Sequence, residues 1–179
     1  MSKKAGSVNK RITLNKLVIL AMLIAIEIIM SRFLSIAQWN MKFSFAFIPV
    51  VMAGILYGPV AGGVVGGVSD FIGALLFPIG PYFPGYTFTA ILIGVVYSLF
   101  LYKKQTMIRI ISSVVIVNGI LSLFLNSAWI AFTSGSNYFA IVFSRGLQCI
   151  IMTAASIAVI SLMSYELMPR LKSAILKIL

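Results

Sequence analysis

The sequence predicts an all-α integral membrane protein of six transmembrane helices with both termini in the cytoplasm. Three observations carry this. The 179 residues are 61% hydrophobic and 9% charged, with mean hydropathy +1.10, whereas soluble domains carry about 25% charged residues. The apolar residues fall in runs near the roughly 20 residues that a spanning helix needs, punctuated by Gly and Pro. The cations cluster at the ends of those runs. Runs of this length use up the chain and leave no room for a soluble domain.

A basic segment, residues 1–12, precedes the first helix, expected at about 13–36. Its cations followed by apolar sequence resemble a signal peptide, but the run is too long and lacks a small-residue cleavage site, so it is read as a retained helix. The second helix, about 43–57, is short. Tyr57-Gly58-Pro59 turns the chain into the third, about 60–77, because Pro at the first helical position loses no hydrogen bond. Within it, VAGGVVGGVSDFIGA holds two overlapping G-x-x-x-G pairs, Gly62 with Gly66 and Gly63 with Gly67, which let a neighbouring helix approach closely. They are not a phosphate loop, for no Lys-Ser/Thr follows and no strand precedes.

The stretch FPIGPYFPGYTFTA, residues 77–90, interrupts the apolar sequence with Pro78, Pro81 and Pro84. It is either a plain connection or a cover over something the protein holds. The prolines restrict the backbone and Gly80 and Gly85 supply hinges; a plain connection leaves the neighbouring aromatic residues unexplained. Helices four, five and six follow at about 86–103, 107–132 and 138–166. The membrane domain is thus 13–167, and a basic segment, 168–179, closes the chain.

With six spans, Lys3, Lys4, Lys10, Arg11, Lys16, Lys103, Lys104, Arg109, Arg170, Lys172 and Lys177 fall on one side, 11 of the 14 cations. The positive-inside rule makes that side the cytoplasm. It also explains the net charge of +11 better than nucleic acid does, since no polar surface spreads the cations. Arg32, Lys42 and Arg145 lie toward the outer side, where charge bias gives no reason for them.

Glu27, Arg32, Asp70 and Arg145 are ionisable residues within spans, each costing at least ~2.5–3.5 kcal/mol near a helix centre and normally paired or turned to a cavity. Two readings stay open. Asp70 pairs with Arg145 or Arg32 to hold the bundle, or the outer Arg and Asp residues face a polar ligand. Both hold if ligand groups replace one pairing, and Arg32 can also snorkel to the interface. On the fifth helix Asn118, Ser122, Asn126 and Trp129 are spaced by four, four and three, which places them on one face of an α-helix. Such a stripe lines a cavity or ties helices together. Arg145 and Gln148, three apart, share a face of the sixth. Ala21 and Ala25 form a small-x-x-x-small pair on the first helix that seats a helix of this bundle or of a partner.

Catalytic signatures are missing. With no His and a single cysteine, Cys149, the chain has neither a Cys/His zinc site nor a Ser/His couple, and it lacks HExxH, GxSxG and Walker motifs. No metal or cofactor is expected. Active transport by this chain alone would need nucleotide binding or an ion-coupled inverted repeat, and neither is visible. The chain reads as a binding subunit that borrows energy.

FIPVVMAGILYGPVAGGVVGGVSDFIGALLFPIGPYFPGYTFTA, residues 47–90, together with SRFLSI at 31–36, resembles the folate-specific S component (FolT family) of energy-coupling factor (ECF) vitamin transporters. The resemblance implies a six-helix S-component bundle in the plasma membrane that captures folate from outside and is not an enzyme. It implies partners as well: a transmembrane coupling protein, docked through an A-x-x-x-A motif matching Ala21 and Ala25, and two cytoplasmic ATPases. It makes loops 37–43 and 78–86 covers of the site, and suggests that the whole subunit topples in the bilayer on docking. Folate then offers a pterin, a benzoyl ring and a glutamate to match. Tyr82, Phe83, Tyr86 and Trp129 supply aromatic faces; Asp70 accepts N–H bonds from the pterin edge, with Asn126 and Gln148 as mixed partners; Arg32, Lys42 and Arg145 engage the carboxylates. The reverse pose, with an Arg toward the pterin, stays open. Rival readings are an S component for riboflavin, thiamine or pantothenate, an integral-membrane enzyme acting on a lipid or isoprenoid, and a structural membrane subunit.

Overall fold

The computed structural model describes residues 14–38 and 41–168. Lys3, Lys4, Lys10, Arg11, Trp39, Arg170, Lys172 and Lys177, and with them the 1–12 segment and nearly all of 168–179, lie outside the described residues. Six helices follow in order: α1 (Leu14–Arg32), α2 (Phe47–Tyr57), α3 (Pro59–Leu76), α4 (Pro84–Leu101), α5 (Met107–Ser134) and α6 (Tyr138–Leu167). Between α1 and α2 a hairpin pairs β1 (Ile36–Gln38) with β2 (Met41–Phe43), antiparallel, Ile36 opposite Phe43.

Five of the helices are long and apolar enough to cross a bilayer. The expected six helices all form, and the second is short as read: α2 has 11 residues, about 16 Å at 1.5 Å per residue, against a hydrocarbon core of about 30 Å. Residues expected to extend α1 to 36 and to begin α2 at 43 form the hairpin and its flanks instead. The reason is local. The Phe33 and Leu34 N–H groups both donate to the Ile29 carbonyl, and Ser35 Oγ donates to the Ser31 carbonyl at 2.7 Å, closing the last turn of α1. Ser44 Oγ then donates to the Met30 carbonyl and accepts the Ala46 N–H, which starts α2. Irregular backbone survives near a membrane only when its polar groups are satisfied in this way. The hairpin lies against α6 through β2.

At Gly58 the backbone adopts φ 91°, and Pro59 opens α3. Gly is required at that conformation, so the expected turn forms as read. α3 and α4 make the tightest helix pair. A Cβ at Gly62 would lie 2.6 Å from the Gly94 carbonyl oxygen and one at Gly66 2.6 Å from that of Ala90, while one at Gly94 would fall on the Gly62 carbonyl. Gly63 and Gly67 face Val95 and Ile91 of the same helix. Both glycine pairs therefore receive α4, whose complementary series Ala90, Gly94 and Ser98 went unnoticed in the sequence although its spacing of four is the same signal.

The ends of α1, α3 and α5 meet the starts of α2, α4 and α6 at one end of the bundle, beside the hairpin and the 77–83 segment. The buried core sits toward the other end, where Val51, Ile55, Tyr97, Leu101, Ile110, Val114, Ile160 and Met163 pack together. Lys16 Nζ lies 5.1 Å over the Tyr57 ring there, tying the start of α1 to the end of α2.

α5 departs from expectation in its winding. Residues Ile116–Leu125 form a π-helix, so the 3.6-residue period assumed for its polar stripe fails in the middle of the helix.

Candidate functional site

Most of the expected site residues fall into three clusters toward the hairpin end. The first joins α1, α3 and α4. Arg32, the last residue of α1, lies 3.5 Å from Asp70 Oδ1, and its Nη2 also donates to the Asp70 backbone carbonyl at 3.3 Å. Its side chain is 10% exposed, and the missing side chain of Gly73 makes room for it, since a Cβ there would sit 2.8 Å from Nε. Arg32 is thus paired rather than snorkelling. Thr87 Oγ1 donates to Asp70 Oδ2 at 2.8 Å, and the Tyr82 hydroxyl lies 3.3 Å from Thr87 Oγ1. Tyr82 also meets Phe71 edge-on.

The second cluster is aromatic and joins the start of α4 to α5. Phe83 is the hub, with ring centroids 5.4 Å from Trp129, 5.6 Å from Phe132 and 6.2 Å from Tyr86. The Trp129 indole N–H donates to Thr89 Oγ1 at 3.0 Å, and that buried hydroxyl donates onward to the Gly85 carbonyl at 2.9 Å. Gly85, read as a hinge, has a packing role in this structure. It sits in the first turn of α4, where a Cβ would meet Phe83 and Trp129 at 2.5 and 2.7 Å; its smallness lets the indole close on the backbone. Gly80 has nothing within 4 Å of such a Cβ among the described residues.

The third cluster lies between α5 and α6. A cavity of about 60 Å³ is lined by Asn118, Ser122, Leu123, Arg145, Gln148, Cys149 and Met152. The wide winding of α5 keeps Asn118 and Ser122 on this wall but leaves Asn126 off it; the Asn126 Oδ1 is buried with no hydrogen-bond partner among the described residues. Arg145 is 7% exposed, and its Nη1 donates to Ser127 Oγ at 3.2 Å. Its Nε has no hydrogen-bond partner, and among the described residues the guanidinium has no carboxylate partner. The alternative pairing of Asp70 with Arg145 does not form, because Arg32 and Thr87 take up the carboxylate. Asn118 Nδ2 donates to Thr153 Oγ1 at 3.3 Å and Cys149 Sγ to the Asn118 carbonyl at 3.4 Å.

Lys42 stands on β2 opposite Ala37. Thr87, Thr89 and Ser127 escaped the sequence reading, and Cys149 was read only as the single cysteine, not as a residue of the site. The two threonines lie inside the YTFTA stretch beside the aromatics that were noticed, whereas nothing in the sequence distinguishes Ser127 from a helix-packing serine.

The match to known proteins is extensive. A family model described as the substrate-specific component of ECF transporters fits residues 15–176. The chain belongs to that family. This S component is 38% identical over 122 residues to the folate transporter FolT of Clostridium novyi (strain NT), covering 68% of this chain and 71% of the relative. It is 35% identical over 115 residues to the folate transporter FolT of Leuconostoc mesenteroides subsp. mesenteroides, covering 63% and 62%. A crystal structure of FolT bound with folic acid superposes with TM-score 0.80 at 31% identity, covering 84% of this chain and 93% of that one. In this S component Ala21 and Ala25 are exposed, in the middle of a stripe that includes Leu14, Leu17, Val18, Met22, Ile26 and Ile29. The pair therefore seats no described helix of its own bundle.

Proposed function

We propose that this S component captures folate at the outer face of the plasma membrane and releases it inward as the binding subunit of an ATP-driven ECF complex. The observation that carries the reading is Arg145, a buried guanidinium on a cavity wall, bonded to one serine hydroxyl and facing no carboxylate among the described residues. A buried charge is costly unless a partner compensates it, and an anionic ligand is the partner this arrangement fits. A folate carboxylate can accept a bidentate pair from Arg145, with Gln148 as a mixed donor and acceptor on the same wall and Asn126, off that wall, for another part of the ligand.

Tyr82, Phe83, Tyr86 and Trp129 then offer stacking faces to the flat rings. Arg32 and Lys42 supply further positive charge to the ligand, and Asp70 contributes by orienting Arg32 or by accepting from the pterin edge. Ligand pockets for molecules of this class run about 300–1,000 Å³, so the 60 Å³ cavity takes one end of such a ligand rather than the whole of it. With one serine and one guanidinium on its floor, the cavity suits a terminal carboxylate better than a ring.

Both termini face the cytoplasm in this reading, the membrane domain spans 13–167, and toppling on docking presents the loaded site inward. The exposed Ala21 and Ala25 receive the coupling protein, and two ATPases supply the energy. Ala21→Leu with Ala25→Leu should leave folate affinity within about twofold, because both side chains point away from the cavity, yet abolish ATP-dependent uptake by the reconstituted complex. Unchanged uptake would move the docking surface elsewhere.

The direct test is calorimetric titration of the purified, detergent-solubilised chain with folate, followed in parallel by the fluorescence of Trp129 and Trp39. Saturation near one folate per chain with Kd below about 1 μM, roughly −8.2 kcal/mol, is the expected result. Binding of riboflavin, thiamine or pantothenate in its place would keep the binding-subunit role and reject folate.

A further inference from the structure

The wall of the cavity also holds the chain's single thiol. Cys149 lies one residue past Gln148 and four past Arg145 on α6, so one helical turn separates the sulfur from the guanidinium, and the two side chains line the same cavity with Asn118 and Ser122. The thiol is partly exposed, and its Sγ donates to the Asn118 carbonyl across the cavity. Arg145 is the second feature that matters: 7% exposed, with Nε lacking a partner and no carboxylate beside it among the described residues. An uncompensated cation in a confined, poorly screened space concentrates small anions there. A thiol one turn away meets them.

We propose that Cys149 is a modification site: a thiol in the substrate cavity that reacts selectively with small anionic sulfur electrophiles drawn in by Arg145, and whose adduct blocks the cavity. The reaction is thiol exchange. Cys149 sulfur attacks the sulfenyl sulfur of a thiosulfonate, the new S–S bond forms as the sulfur–sulfonyl bond breaks, sulfinate departs with the electron pair, and the thiol proton passes to water. The cysteine is oxidised and the reagent reduced. A small anionic disulfide reacts in the same way, losing a thiolate. A cavity of about 60 Å³ has no room for both an adduct and a substrate carboxylate, so modification and substrate binding exclude each other. The shielding by substrate rests on the folate reading above; the selection by charge does not.

The test compares 2-sulfonatoethyl methanethiosulfonate with its trimethylammonium counterpart on the purified full chain, counting adducts by intact-mass spectrometry. The anionic reagent should react at least tenfold faster, and Arg145→Gln should remove the preference while a neutral methyl reagent still labels that variant, which reports that the thiol stays reachable. Saturating folate should slow labelling at least tenfold, and the adduct should abolish folate binding until dithiothreitol restores it. No labelling of the native chain by any of the reagents, or equal rates for both charges, would overturn the proposal. Charge preference without protection by folate would support the Cys149 site and reject folate as the occupant of this cavity, so the two readings fail separately.

Discussion

Arg145→Ala is expected to weaken folate binding by roughly 100-fold or more, about 3 kcal/mol, in the range measured when one member of a buried charge pair is removed. Two further readouts separate a ligand contact from a structural role. The guanidinium is buried with one serine hydroxyl as its bonded partner and no carboxylate among the described residues, so in the ligand-free protein it costs stability rather than adding it. The alanine variant should therefore melt no lower than the native chain in the absence of ligand, while the stabilisation conferred by saturating folate shrinks in step with the lost affinity. Arg145→Lys keeps the charge but loses the planar fork, and an intermediate loss of about tenfold is expected. Native affinity in a folded alanine variant would remove Arg145 from the site. A variant that melts well below the native chain would make Arg145 a structural residue.

The largest effect on folding is expected at the α3–α4 contact. Gly94→Leu places its side chain on the Gly62 carbonyl, and Gly62→Leu drives into Ser98 and the Gly94 backbone. Both substitutions meet backbone of the facing helix, which cannot swing away, and overpacking alone costs about 1–3 kcal/mol where neighbours relax. Each variant should lose about 3 kcal/mol or more, or fail to accumulate as folded protein. Gly146→Ala is the control, because a Cβ there meets nothing within 4 Å; it should stay within about 1 kcal/mol of the native stability, helped by the better helix propensity of alanine. Thermal unfolding in detergent, with size-exclusion profiles, reads all three. If Gly94→Leu unfolded together with the control, the backbone contact would not be what joins these helices.

Most of the fold is legible in the residues, and where it is not, the cause is physical. Apolar run length sets helix number because the bilayer thickness is an external ruler. Gly58-Pro59 marks its turn because a backbone at φ 91° accepts little but glycine. The hairpin was not legible: the residues around it are apolar enough to extend a helix, and it is the Ser35 and Ser44 hydroxyls, bonded to the carbonyls of Ser31 and Met30, that end α1 and begin α2. Nor was the π-helix in α5, since wide winding leaves no compositional trace at Ile116–Leu125.

For the site, residue types alone determined that Arg32, Asp70 and Arg145 had to answer for their charge within the membrane, and they marked the 77–90 stretch as a candidate cover. Which of them answered to which was a tertiary decision. Arg32 reaches Asp70 because Gly73 leaves space for a guanidinium on α3, and that pairing leaves Arg145 without a carboxylate partner among the described residues. Pairing is a matter of distance between helices remote in sequence, and no local pattern encodes it. Spacing placed Asn118, Ser122, Asn126 and Trp129 on one stripe, yet the structure sends Trp129 to Thr89 and Asn118 and Ser122 to the cavity with Arg145. A periodicity argument holds only while the winding stays constant, and in α5 it does not.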